Sequence, residues 1–120
     1  MEFVNLTPHP ICIRTTADGF AVDLTIAPSG QVARVAQHPS QTLHLAGFPV
    51  PVVSAPRFGA VEGLPEPEGG VAYIVSGLVL AHVPSDRGDV FAPATGPKDG
   101  AVRDADGRIV AVTRLVSAVL

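Results

Sequence analysis

Glycine and proline together fill a fifth of the 120 positions, twelve of each. That is roughly twice average usage. Proline removes a backbone donor and fixes φ, while glycine disfavours the interior of a helix or strand. No long helix and no long uninterrupted strand can pass through such a chain. The glycines and prolines follow no collagen period and fall between strongly apolar segments rich in Val, Ile and Thr. β-branched residues suit a pleated surface. The expected fold is therefore mainly β: a compact β-sheet or barrel-like domain of short strands and tight turns, with at most one short helix. Residues 1–120 are expected to form a single domain.

Composition removes several classes of function. Hydrophobic residues at 47% are too many for a disordered chain. The longest apolar run, residues 78–83, is interrupted by His82 and falls far short of a bilayer span. Glu2 follows Met1 where a secretory leader would carry basic residues, so no leader and a cytosolic location are expected. One cysteine, Cys12, allows neither an internal disulfide nor a cysteine-based zinc site. A net charge of −3 argues against a binder of nucleic-acid polymers. Charged residues are only 16% of the chain, against an average of about 25%. Too few charges to cover a monomer's surface point to a homo-oligomer, in which part of the outside is buried against another copy. A GC-rich coding bias toward Ala, Val, Gly and Pro gives the same composition, and it also accounts for seven Arg against a single Lys, Lys98.

Periodicity places the elements. Residues 1–6 form a first strand, and Pro8 and Pro10 then interrupt any ladder. Residues 11–16 alternate, Asp18-Gly19 is a hairpin signal, and Phe20, Val22, Leu24 and Ile26 alternate on the return. Pro28-Ser29-Gly30 is a turn, and short strands are expected at 31–36, around Leu43 and Leu45, at 48–53 and at 57–61. The run Glu-Gly-Leu-Pro-Glu-Pro-Glu-Gly-Gly at 62–70 is an exposed loop. Residues 71–75 are apolar on both faces and form a buried strand. Ser76 caps a short helix with Leu78, Val79 and His82 inward, continued strand being the alternative. Strands at 89–92, 101–104 and 108–112 follow, the last two joined by the hairpin turn Asp104-Ala105-Asp106-Gly107. The apolar end, Val119-Leu120, should pack on its own core or on a partner.

No catalytic signature stands out. Asp104-Ala105-Asp106-Gly107 opens like a calcium loop, but Leu115 stands where the loop needs its twelfth-position Glu. His38 and His44, six apart, lack the spacing of a helical metal pair, and no metal or cofactor is expected. His9 lies between two prolines, where a structural turn is its simplest use. Cys12 lacks a local activating group, and Ser29 and Ser76 lack a nucleophile-elbow context. Arg87-Gly88-Asp89 is an adhesion-type tripeptide of a length that recurs by chance. What remains is arginine plus aromatics. Arg57, Phe58, Tyr73, Arg87, Phe91, Arg103 and Arg108 are the candidate ligand-binding set, with Asn5 and His9 as weaker options. Arginine grips phosphate through a planar fork, and aromatic rings stack on bases. The same residues also serve as ordinary surface arginines and core rings.

The opening Val4-Asn5-Leu6-Thr7-Pro8-His9-Pro10-Ile11 resembles the start of a family of small phage and prophage proteins. The similarity continues through Pro28-Ser29-Gly30, the strand at 32–35, Gly47 to Val50, and Gly63-Leu64-Pro65-Glu66-Pro67. It takes in Tyr73-Ile74-Val75-Ser76, Asp89-Val90-Phe91-Ala92-Pro93 and Asp106-Gly107-Arg108-Ile109. Among functional families it is most similar to the Thoeris anti-defence protein 1 family. That resemblance implies a symmetric homo-oligomer in the host cytosol. It would sequester a cyclic nucleotide signal molecule, a cyclic ADP-ribose isomer made by a TIR-domain immune enzyme and in some members a cyclic oligonucleotide, without cleaving it. No binding residue carries over from the family. The alternative is a structural or assembly phage protein without a small-molecule ligand. An enzyme would need a distant acid–base pair, such as a histidine with Asp86 or Asp89.

Overall fold

A central parallel pair organises the chain. The computed structural model describes residues 1–17 and 19–119. Its elements are β1 (Glu2–Asn5), β2 (Ile11–Ala17), β3 (Phe20–Ile26), β4 (Arg34–His38), β5 (Thr42–Leu43), β6 (Val52–Val53), β7 (Arg57–Glu62), β8 (Val71–Ile74), the single short helix α1 (Gly77–Leu80), β9 (Val90–Pro93), β10 (Val102–Arg103), β11 (Ile109–Ala111) and β12 (Leu115–Ser117). The protein is mainly β, as composition requires. The largest sheet has the order β1-β8-β9-β12, with β1 and β9 parallel to β8 and β12 antiparallel to β9. The other sheets are two-stranded: β2 with β3, β4 with β7, β5 with β6, and β10 with β11. The sheets stay open among the described residues and close no barrel.

β8 explains the core. All four of its residues are buried, as a strand covered on both faces demands. Successive side chains alternate between faces. Val71, Tyr73 and Val75 join Leu6, Val79, Leu80, Val83 and Val90 in one cluster. Ile74 joins Ile13, Ile26 and Val112 in the other. Thus α1 covers one face, and the β2–β3 hairpin with β11 covers the other. Cys12 and Arg14 clasp Val112 through Val112 N–H to Cys12 O at 2.9 Å and Arg14 N–H to Val112 O at 2.8 Å.

The first helix turn departs from expectation. Ser76 does cap it, its Oγ accepting from Val79 N–H at 3.3 Å. The inward residues are Val79 and Leu80, however, and Leu78 is exposed. Leu78 and Leu80 lie about 200° apart around the helix, so the face that buries Leu80 leaves Leu78 outside. The apolar face of β3 is also less covered than its alternation implies: Ile26 is buried, but Phe20 and Leu24 face solvent. Asp18 of the expected Asp18-Gly19 turn and Leu120 of the apolar end lie outside the described residues.

Asn5 ties three segments to this sheet. It is 1% exposed, and its amide uses its full bonding capacity. Nδ2 donates to His9 O at 2.8 Å and to Ile26 O at 3.0 Å. Oδ1 accepts from Thr7 N–H at 2.9 Å and from the Thr7 hydroxyl at 2.7 Å. Its backbone oxygen accepts from Ser29 N–H, and the next residue, Leu6, donates to Ile74 O and accepts from Ala33 N–H. One side chain thereby joins the end of β1, the end of β3 and the turn at 6–9. Gly63 makes a second close approach nearby: its φ is +79°, and a Cβ there would lie 2.8 Å from Val32 O.

Residues 34–62 leave the sheet body as one hairpin, with its base packed on the core through Val61 and its outer part, 39–56, exposed save for half-buried Val52 and Ser54. The radius of gyration is 17.8 Å, with extents of 62 × 39 × 27 Å. A fully compact chain of this length would have about 13.6 Å. No described helix is long and apolar enough to cross a membrane.

Asn5→Ala should cost about 2–3 kcal/mol, because it strands buried partners at His9, Ile26 and Thr7. Thermal unfolding would show this as a fall of roughly 10 °C in Tm. A loss within about 0.5 kcal/mol, typical of a plain surface change, would contradict the role given to Asn5.

Candidate functional site

The projecting segment is one long hairpin, and prolines open a cleft in it. β4 and β7 pair antiparallel from Arg34↔Glu62 to His38↔Arg57. Farther out β5 and β6 pair at Thr42↔Val53 and Leu43↔Val52, in the register that His38↔Arg57 sets. Pro39 and Pro56 fall opposite each other between these ladders. Neither has an N–H to give, so the ladder must break there. Gln41 and Ser54 close it again: Ser54 N–H donates to Gln41 O at 2.9 Å, and Gln41 N–H donates to Ser54 Oγ at 2.8 Å.

The opening holds a cleft of about 500 Å³ lined by His38, Pro39, Gln41, Ser54, Ala55, Arg57 and Phe58. A bulge shapes its inner end. Two steps along β4, from Val35 to Gln37, face three along β7, from Val61 to Phe58. Gly59 sits in this bulge, where a Cβ would meet Ala36 Cβ at 3.3 Å and His38 Nε2 at 3.6 Å. The missing side chain lets the His38 imidazole lie against the strand. His38 and Arg57 are cross-strand partners and share a face of the hairpin. Phe58 is half-buried and packs its ring on His82, with centroids 4.9 Å apart and planes at 55°. His82 Nδ1 lies 2.9 Å from Leu78 O, which anchors the imidazole to α1. The aromatic contact thus fixes the base of the hairpin to the body.

Of the seven candidate residues, Arg57 and Phe58 line this cleft together. The others are dispersed. Tyr73 is 4% exposed, and its hydroxyl donates to Glu66 O at 3.3 Å. Arg87 lies against Asp89, Nε to Oδ1 at 2.9 Å and Nη2 to Oδ2 at 3.1 Å, and Nη2 also donates to Pro65 O at 2.9 Å. Tyr73 and Arg87 therefore pin the 62–70 loop to the body, and Leu64 of that loop packs on the core. Phe91 is half-buried in β9 opposite Ile74 and Ser117. Arg103 closes the β10–β11 turn, Nη1 donating to Gly107 O at 2.9 Å. Arg108 is exposed on the far side of that turn, with its backbone N–H on Asp104 Oδ1 at 3.0 Å. Asn5 is the buried junction already described, and His9 is exposed while its carbonyl serves Asn5.

His38, Gln41 and Ser54 were not among the sequence candidates. Their signal is the pair of prolines at matching distances from the hairpin tip, visible only once 34–62 is seen as a single hairpin. The cleft has an arginine, an imidazole, an amide and a hydroxyl but no carboxylate among its lining residues. Such a set favours an anion with hydrogen-bonding edges. No group of three His, Cys, Asp or Glu side chains among the described residues is placed to hold a metal ion. Comparison with protein-family models, curated proteins and solved structures finds no match to this chain.

The Arg87–Asp89 pair gives a test of the body's electrostatics. The hydrogen bond from Arg87 holds the Asp89 carboxyl below the usual carboxylate range, against the opposing effect of burial. The same bond raises the already high value of Arg87. A depressed carboxyl stabilises the fold above its unfolded value, about pH 4, and loses that contribution as pH falls through the lower folded value. Asp89→Asn should therefore cost about 1–3 kcal/mol at neutral pH. Chemical unfolding at stepped pH should show the gap from wild type narrowing below about pH 4. A gap that is constant from neutral to acid pH would contradict this.

Proposed function

We propose that the protein is a non-enzymatic binding protein that sequesters an anionic nucleotide signal. The ligand class is a cyclic ADP-ribose isomer, with cyclic oligonucleotides as further ligands. The observation that carries this proposal is the cleft that sets Arg57 and Phe58 beside His38, Gln41 and Ser54. Its volume, about 500 Å³, falls in the usual range for small-molecule sites. Arg57 would grip a phosphate through its fork, with His38 beside it. Gln41 and Ser54 carry the polar atoms suited to a ribose or a base edge. Phe58 offers ring surface for stacking, worth about 1–3 kcal/mol per base. The lining has no carboxylate to pair with His38 for acid–base chemistry, which supports holding over cleavage. Asp89, one of the acids an enzyme would have recruited, is engaged by Arg87.

A second function, that of a structural or assembly protein without a small ligand, is favoured by a different observation. The outer hairpin exposes Leu43, Leu45, Phe48, Val50 and Val53. Such a protein would associate with other chains and ignore nucleotides.

Thermal unfolding with cyclic ADP-ribose isomers and cyclic di- and trinucleotides separates the two. A ligand at a hundredfold its Kd adds about 2.7 kcal/mol, a shift of several degrees. By calorimetry, Arg57→Ala should weaken the responding ligand tenfold or more. Arg14→Ala, which breaks only the exposed 3.6 Å pair with Asp23, should leave affinity unchanged. A flat panel on folded protein, or equal affinity in Arg57→Ala, would refute nucleotide binding at this cleft.

A further inference from the structure

The outer part of the hairpin, residues 39–56, is built as a protein surface with nothing covering it. It has no Asp, Glu, Lys or Arg in eighteen positions, and His44 is its only titratable side chain. Solvent-exposed hairpins are ordinarily protected by charges along their edges. Here Leu45, Phe48 and Val50 are each more than half exposed, at 52%, 53% and 56%. The hydrogen bonds that hold this segment, Ser54 to Gln41 and Phe48 to Leu45 among them, stay within it. The whole chain exposes 8098 Å² for a mass of 12.3 kDa. A compact monomer of that mass would expose about 6,100 Å². The excess, about 2,000 Å² on one chain, is more than the roughly 800 Å² that each partner of a stable interface buries.

A receptor for this arm is present on the same chain. A groove of about 580 Å³ runs between α1 and the β9–β12 edge of the main sheet. Leu80, Val83, Ala92, Val116 and Ala118 give it an apolar side, Ser85, Thr95, Asp99 and Ser117 add polar groups, and the chain's own arm does not enter it. β12 is the last strand of its sheet and, among the described residues, pairs only with β9, so its outer edge is open to another strand. Exposed apolar side chains on a two-stranded arm complement an apolar groove along an unpaired sheet edge.

We propose that residues 39–56 form an arm by which one copy of the chain grips a second copy, seating Leu45 and Phe48 in the partner's groove between α1 and β12. In a two-fold pair each copy gives an arm and receives one, so both apolar surfaces are buried at once. A patch of this size on both partners, with no charge in the arm to oppose contact, makes a second copy the fitting occupant. The inference stands independently of nucleotide binding, because association is measured with no nucleotide present.

The test uses the full chain in analytical ultracentrifugation. Wild type should sediment at a multiple of the 12.3 kDa chain mass. The double change Leu45→Glu with Phe48→Glu, at exposed positions, should sediment as a single chain while keeping the wild-type circular dichroism spectrum. A second measurement locates the receptor. In a Cys12→Ser background, chains carrying Phe48→Cys are mixed with chains carrying Ser117→Cys under oxidation. A disulfide-linked mixed dimer should form in the mixture. A wild-type monomer, a double variant that associates as wild type does, or a mixture without the mixed dimer would each overturn the proposal.

Discussion

The buried amide of Asn5 fixes where the β2–β3 hairpin and the Pro8–Pro10 turn meet the main sheet. A buried amide is tolerated only when its donors and acceptors are met, and this one is met by His9, Ile26 and Thr7. Those three partners come from two segments that the sheet ladder alone would not fix. Ile26 ends β3, so Asn5 sets where the β2–β3 hairpin lies across the sheet. Thr7 and His9 belong to the Pro8–Pro10 turn, which has few backbone donors of its own. With that turn fixed, Leu6 is carried inward to bond Ile74 and Ala33 and to enter the core. The parallel pairing of β1 with β8 and the docking of the hairpin on Ile74 are thus locked at one point.

The charge deficit of the chain has a location. Residues 39–56 have no charged side chain, and the 62–70 loop has three of the eleven acids. Charges elsewhere are used to hold the body, as where Arg87 joins Asp89 and Pro65. In the proposed pairing, the uncharged arm would give a small domain, whose own core is limited by size, buried apolar area from a neighbour. The cleft at Pro39 and Pro56 lies where arm meets body, so its shape depends on the same ladder break that lets the arm leave. Phe58 on His82 fixes the inner wall, whereas Gln41 and Ser54 belong to the arm.

Local order was legible in the residues, and long-range order was not. The β2–β3 hairpin follows from strict alternation about a glycine turn, and the burial of β8 follows from Val71-Ala72-Tyr73-Ile74 being apolar on both faces. Both are properties of neighbours in sequence. The order β1-β8-β9-β12 pairs strands separated by many residues, and nothing in either strand names its partner. The same limit scattered the candidate site. Tyr73 invites a stacking role as the only tyrosine, yet its place in a strand buried on both faces already assigns it to the core. Arg87 and Asp89, two apart at a strand entrance, face the same way, and that spacing is a legible sign of an ion pair. Leu78 was misplaced because a four-residue helix is too short for periodicity to mean much. The cleft residues His38 and Gln41 were invisible because the 31–53 region divides into short strands whose common register appears only in three dimensions.

The body is locked at Asn5, and the proposed pairing would add protection to the arm when a partner chain covers it. Residue-by-residue amide hydrogen exchange, run on dilute and on concentrated protein, tests this most directly. The Leu6, Tyr73 and Val75 amides, bonded to Ile74, Asp89 and Phe91, should exchange together at the slowest rate, set by global unfolding. The Phe48 and Ser54 amides should exchange fast when dilute and become protected as concentration rises. Arm amides as slow as Leu6 in dilute monomer, or a Leu6 amide that exchanges as fast as the arm, would contradict the account.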